Sequence, residues 1–394
     1  MSIIRKDLGP RPPARLKSKL SVVRPGKTVP DLRLELRSGG EFSIFSDAPG
    51  ELEPAMERLG DQAVEPNPFQ TLPFLTGLSG RADAQTRLAL IEDSAVAAGA
   101  GHLAALMGFS VASGNSHLVA SAAPGGYHAP LISRHRPMAT LDQLFEALAG
   151  SLANLPGVVA FPGLLADGAF MRSARAVAAA RGLAFRVAGA WRGHALSGRI
   201  DPTSGLSHAD REAWQANLEK WENLQKKGRI TYHVARNPAE ISAALEELSL
   251  LCDTDEHTSR CAAWFPTVRL LSERDRIRLH ALYLDGQMIA AALQPLHRSE
   301  AWVWQVMVRP DMSDKAIDEQ LIMRLTQWNL RDANIAVTRV APAAGPFLAE
   351  RFWPVDEGYA SLLVALRPGM ERALDSVAAT YEDAGAQYPG HQTE

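Results

Sequence analysis

The sequence predicts an α/β (α+β) fold made of two tandem mixed sheets, each flanked by helices. Three observations predict it. At 394 residues the chain exceeds the usual size of one domain. Apolar residues switch repeatedly between the alternating spacing of strands and the three-to-four spacing of helices. Both halves interleave the two patterns, as mixed α/β units do. With 46% hydrophobic and 22% charged residues, each half can bury a core.

Residues 1–30 are rich in Pro, Arg and Lys and read as a disordered tail. A first unit is expected over 31–205. Leu32–Phe45 alternates like a strand and Glu51–Ala63 reads as a helix. Pro68 forces Asn67 out of the helical region, so 65–70 is a loop. Thr86–Glu92, His102–Ala112 and Leu118–Ser121 read as strands, the last entering a flexible loop, Pro124-Gly125-Gly126-Tyr127-His128. Helices over Leu141–Leu152 and Ala166–Arg181 enclose a strand at Gly157–Phe161, with Gly182 as a C-cap. Strands at Ala184–Val187 and Trp191–Leu196 end the unit.

A linking helix is expected over 206–228, capped by Ser207, with Trp214, Leu218, Trp221 and Leu224 on one stripe. The second unit, 229–370, opens with a strand at Arg229–Ala235. Asn237 caps a helix over Pro238–Leu251. Asp285-Gly286 is a hairpin turn between strands Arg278–Leu284 and Met288–Leu296. In the strand Ala301–Val308, strict alternation puts Trp302, Trp304, Val306 and Val308 on one face and Val303, Gln305 and Met307 on the other. A helix over Ala316–Leu330 and strands at Ile335–Val340 and Tyr359–Leu366 follow. Residues 371–394 read as a helix with a loose tail.

Charge and cysteine content narrow the function. A net charge of −3 argues against general nucleic-acid binding. The tail is the exception, with Arg5, Lys6, Arg11, Arg15, Lys17, Lys19, Arg24 and Lys27 against Asp7. It reads either as a solvated arm or as a peripheral contact for acidic lipid or RNA. No leader and no membrane span is visible, and the two cysteines, Cys252 and Cys261, suit a reducing cytoplasm. Pro25-Gly26-Lys27-Thr28 ends like a phosphate-binding loop, but Ser21 stands where the first glycine belongs. No metal-ligand spacing occurs, so no metal is expected.

Several joints together carry a family resemblance. They are Pro66–Gln70, Leu206-Ser207-His208 with Arg211 and Trp214, Leu284-Asp285-Gly286-Gln287-Met288-Ile289-Ala290, and Phe347–Trp353. Their order resembles that of the CelD-like and FemAB-like acyltransferases, relatives of the GCN5-related N-acetyltransferases (GNAT), over residues 50–366. The resemblance implies two tandem GNAT-like domains and acyl transfer from acetyl-CoA or a longer acyl-CoA to a small-molecule, lipid or sugar amine. It implies thioester contacts at Val306, Met307 and Val308, and a phosphate grip at Lys315, Ala316 and Ile317.

The family's glycine-rich loop is replaced by Arg309-Pro310-Asp311-Met312-Ser313-Asp314-Lys315, which has no glycine and two aspartates. Leu348 stands where simpler relatives carry the tyrosine that protonates the thiolate. Candidate catalytic groups are Glu256 or His257 as base, Asp253 to orient it, and Tyr283 as proton donor. His128, Gln305, Arg351 and Trp353 are candidate acceptor contacts. Two alternatives stay open: a non-catalytic module of a polysaccharide-assembly system, and an aminoacyl-tRNA-dependent transferase.

Overall fold

The computed structural model describes residues 28–37, 39–77, 86–92, 102–121, 126–197, 207–226, 228–251, 255–341, 344 and 353–385. For residues 77, 151, 255–263, 313–315 and 383–385 it describes the backbone alone.

The first half begins with a hairpin of β1 (Leu32–Glu35) and β2 (Glu41–Phe45) where the sequence suggested one strand. Gly39 and Gly40, at φ +82° and +100°, turn the chain there. Helices α1 (Glu53–Gln62) and α2 (Leu72–Gly77) lead to strands β3 (Arg87–Glu92), β4 (Leu103–Val111), β5 (Leu118–Ala120) and β6 (Leu131–Ile132). Helix α3 (Pro137–Ala149), strand β7 (Val158–Leu165), helix α4 (Ala169–Ala180) and strand β8 (Phe185–Ser197) complete it. Strand β8 is continuous where the sequence reads as two pieces. Gly189 sits at φ +58°, and its pairing with the last strand slips between Tyr359 and Ser361, which interrupts the alternation.

The second half runs α5 (His208–Gln225), β9 (Ile230–Ala235), α6 (Pro238–Ser249), α7 (Asp255–Ser272), β10 (Ile277–Leu284), β11 (Gln287–His297), β12 (Glu300–Val303) and β13 (Gln305–Val308). Helix α8 (Ile317–Asn329), β14 (Val337–Val340), β15 (Val355–Ala365) and α9 (Glu371–Gly385) follow. The caps are those the sequence predicts: Ser207 Oγ accepts from the Asp210 amide at 3.1 Å and Asn237 Oδ1 from that of Glu240 at 2.9 Å. Asp285 and Gly286 both take positive φ, as the tight hairpin requires. Helix α7 was not foreseen. Its first turns are crowded with ionisable residues and Pro266 lies inside it, so no clean stripe marks it.

Among the described residues the strands form one sheet, in the order β1-β2-β3-β4-β5-β7-β15-β8-β14-β12-β11-β10-β9. Its centre is an exchange. Strand β8, from the first half, pairs with β14 of the second, while β15, from the second, pairs with β7 of the first. Strands β8 and β15 also pair with each other. The architecture is thus a large mixed sheet flanked by helices.

One core runs along one face of the whole sheet. At its middle Phe69 and Phe74 of the first half meet Trp302 and Trp304 of the second. Phe74 and Trp304 lie 4.9 Å apart edge-on, and Tyr127 stacks on Trp302 at 5.2 Å. Both tryptophans are fully buried, as core residues should be. On the opposite face α8 and the stripe Trp214, Leu218, Trp221 and Leu224 of α5 enclose a second core.

Candidate active site

The site is built where one strand leaves its neighbour. Strand β12 pairs in parallel with β14 as far as Val303 opposite Val340, and the Ala341 amide bonds the Val303 carbonyl at 2.8 Å. The next strand, β13, pairs with β11 only. Moving from Leu296 to Leu293 along β11 covers three residues, while the partner advances from Ala301 to Gln305, one more. The extra residue is a β-bulge at Trp304, whose amide bonds the Leu293 carbonyl at 2.9 Å.

The bulge corrects the predicted faces. Trp302, Trp304 and Met307 look toward the first core, whereas Val303, Val306 and Val308 look toward α8. One inserted residue flips every side chain beyond it. It also opens an edge. The Arg309 amide bonds the Ile289 carbonyl at 2.9 Å, so by antiparallel alternation Gln305 and Met307 turn their amides to β11. Val306 and Val308 turn theirs outward, to an edge that no described strand covers. Gln305 sits half-buried at the bulge, and its side-chain amide has no partner among the described residues.

The loop after β13 is a 3-10 turn over Pro310–Lys315. Ala316 then takes the left-handed conformation (φ 51°, ψ 42°) as N-cap of α8, with no side chain capping the helix. Uncapped first-turn amides attract an anion. Asp311 opposes an anion less than its charge suggests, because the Arg309 guanidinium pairs with it through two contacts of 2.7 and 3.2 Å. The Lys315 side chain lies outside the described residues.

The other expected residues divide. Asp253, Arg351 and Leu348 lie outside the described residues. Glu256 and His257 fall in the first turn of α7, with their side chains outside the described residues. Tyr283 lies on β10, two strand spacings or roughly 10 Å from β13. Burial, with the charge of the Glu247 carboxylate on α6, pushes its pKa up to about 12.

Two acceptor candidates move into structure. Trp353 is buried and its indole N–H donates to Thr326 Oγ1 at 3.1 Å, beneath α8. His128 packs within the first half, its Nδ1 3.2 Å from the Ala120 carbonyl, and desolvation lowers its pKa to about 4. It is therefore not in an exposed loop, because its neighbour Tyr127 anchors the segment to the core.

The structure also assembles a charged cluster that the sequence did not reveal. Arg339 of β14 pairs with Glu357 of β15 and Glu300 of β12, close to where β12 and β14 part. Tyr359 donates to Glu357 at 3.0 Å and stacks on Trp191. Glu65 accepts from the Tyr127 phenol at 2.7 Å. Burial, and the neighbouring Glu357, raise the Glu300 pKa against the pull of Arg339. Burial opposes the Arg339 charge, but the hydrogen bonds of Glu357 and the charges of both glutamates outweigh it. Each charge stands alone in its own sequence segment; an arginine inside the apolar strand 335–340 was the one legible signal.

Comparison with known proteins fits this geometry. Residues 217–333 match the family model of an acetyltransferase (GNAT) domain. No curated protein matches the sequence. Among solved structures, the C-terminal domain of a candidate lysylphosphatidylglycerol synthetase from Agrobacterium fabrum is 14% identical, with a TM-score of 0.51 over 87% of this chain and 98% of that one. A conserved protein of unknown function from Bacteroides thetaiotaomicron is 13% identical, with 0.52 over 80% and 98%. FemX is 8% identical, with 0.51 over 78% and 95%.

Residues 217–333 are thus an acetyltransferase (GNAT) domain, and the activity this domain carries is acyl transfer. Over 78% of the chain the fold is shared with FemX, and the FemAB-like resemblance holds at the level of fold. Among the described residues no helix is long and apolar enough to cross a membrane.

Proposed function

We propose that the protein is an acyl-CoA-dependent N-acyltransferase with one donor site, in the second half. The observation that carries the reading is the open edge of β13 beside the uncapped start of α8. The outward amides of Val306 and Val308 would bond the thioester oxygen and the donor's amide-bearing arm. Their alignment before reaction lets them stabilise the oxyanion as it forms. The left-handed turn at Ala316 and the amides of α8 would hold the pyrophosphate, with Lys315 beside it. Gln305, on the opposite face from the two valines, would orient the acceptor.

The acceptor is an amine, in envelope, polysaccharide or lipid assembly. Glu256 or His257 would take the amine proton, with Asp253 orienting that base.

Titration with acetyl-CoA and palmitoyl-CoA tests the reading. A ligand that binds only the folded state stabilises it by about 2.7 kcal/mol at a hundredfold excess over Kd. A rise in melting temperature with either thioester supports the assignment and fixes the acyl length. Folded protein that responds to neither leaves a non-catalytic module or an aminoacyl-tRNA donor.

A further inference from the structure

The sheet is pinned at the point where β12 and β14 part. Their parallel pairing covers four positions, from Glu300 opposite Val337 to Val303 opposite Val340. Arg339, opposite Trp302, is buried one position before the end of that ladder. Its guanidinium donates to Glu300 of β12 on one side. On the other it donates to both oxygens of Glu357 of β15, at 2.8 and 2.9 Å. Strand β8 lies between β14 and β15, and this pair of bonds crosses over it. Beneath the crossing stand only Ala195, opposite Arg339, and Gly193, opposite Glu357, so no large side chain of β8 blocks it. The guanidinium carbon also lies 5.5 Å from the centre of the Trp302 ring, which carries Tyr127 of the first half at 5.2 Å. Bidentate, charge-assisted bonds of this kind fix geometry closely. A parallel ladder of four positions is weak by comparison.

With the donor's pyrophosphate at Ala316, its arm at Val308 and its thioester at Val306, the acyl chain runs on toward Val303. There the Ala341 amide bonds the Val303 carbonyl and closes the gap between the strands. From Val306 to Val303 is at most about 10 Å of strand, room for a few carbons. We propose that the Arg339 bridge fixes where β12 and β14 part, that this point is the closed end of the acyl pocket, and that Arg339 thereby restricts the donor to short acyl chains. The assignment rests on the acyl-transfer reading above. Arg339 is a positioning residue: it acts through the two strands and not on the reacting atoms. Without the bridge the last pairs open, and each pair lost lengthens the pocket by about 3.3 Å.

The test uses the full chain and calorimetric titration with CoA, acetyl-CoA and octanoyl-CoA. The wild type should bind octanoyl-CoA at least roughly tenfold more weakly than acetyl-CoA, since a closed pocket discriminates between chains that differ by single methylenes. E300A cuts the arm to β12 and leaves the Arg339–Glu357 pair in place; its preference for acetyl-CoA should fall to about threefold or less. R339M should erase the preference. CoA itself, held at the start of α8, should keep its affinity within about twofold in both variants, as separate sites do. Partial unfolding scales every dissociation constant by the same factor, so a merely structural role would not move the ratio.

Two results overturn the proposal. One is a wild type that binds octanoyl-CoA as tightly as acetyl-CoA. The other is a folded E300A that keeps the full wild-type preference for acetyl-CoA. A wild type that binds neither CoA nor either thioester instead removes the parent reading.

Discussion

The two halves repeat one topology and treat its critical strand in opposite ways. In the first half β5 runs parallel to β7, and in the second β12 runs parallel to β14. In each, the chain then returns to its antiparallel neighbour through a second short piece, β6 on β4 and β13 on β11. A helix follows whose N-cap is left-handed and gives no side-chain cap, Arg136 at φ 65° and Ala316 at φ 51°.

The difference lies in the inserted chain. Passing from Phe109 to Leu106 along β4, the partner advances from Ala120 to Leu131, eight residues more than a regular strand; the bulge at Trp304 adds one. The longer insertion is sealed. Val64 donates to the Ile132 carbonyl at 2.8 Å, covering the edge that β13 leaves open. Asn67 Nδ2 donates to the Tyr127 and Ala129 carbonyls at 3.0 and 2.6 Å. A shared topology therefore makes a site only where backbone donors are left unpaired.

The largest test of this contrast removes one open-edge donor. In V306P the lost N–H faces away from β11, so the ladder survives. Turnover should fall by roughly 10²–10³-fold, the usual loss for one oxyanion donor, with the melting temperature nearly unchanged. M307P, which breaks a ladder bond, should destabilise the protein instead. Equal turnover in V306P and wild type would remove the edge from the mechanism.

Unsealing the first half should affect stability rather than stoichiometry. N67A leaves two buried carbonyls and the Phe69 amide without their partner and should cost about 2–3 kcal/mol in urea unfolding. Calorimetry should still find one acetyl-CoA per chain. Two would show that the halves are equivalent.

Both halves also bury histidine, His128 in the first and His280 and His297 in the second. His280 of the second lies between the Tyr232 hydroxyl at 2.6 Å and Gln294 Oε1 at 2.9 Å, and desolvation lowers its pKa to about 4. The unfolded chain binds this proton near pH 6.5 and the folded one does not. Stability is therefore full above 6.5 and is lost as pH falls toward 4. Between pH 7 and 5 this one group should remove about 2 kcal/mol, so the acid slope should be shallower by that amount in H280Q in paired urea melts, with His128 and His297 supplying the remainder.

The smallest expected effect is at the two left-handed caps. A316G should stabilise by about 1 kcal/mol, because glycine carries no Cβ penalty there. R136G should do the same in the first half. Destabilisation by A316G would show that Ala316 makes contacts that outweigh its backbone strain.

Much of the architecture follows from local physics that sequence carries. The Ser207 and Asn237 caps, the Asp285-Gly286 turn and the α5 stripe need only residues a few positions apart. The tryptophans of β12 and the residue after it were legible as core from size and alternation, and the mixed fold from interleaved periods. The acyltransferase class was legible because several joints recur in fixed order.

Tertiary structure decided the rest. A bulge is one residue with no sequence mark of its own, yet it turns Val306 and Val308 toward α8 and frees their amides. The exchange of β8 and β15 depends on pairing between strands far apart in the chain. The Arg339 cluster gathers Glu300, Glu357 and, nearby, the Glu65–Tyr127 pair from separate elements. Period, cap and turn are set by neighbours in sequence, whereas an open edge and a charged cluster are set by which distant segments meet.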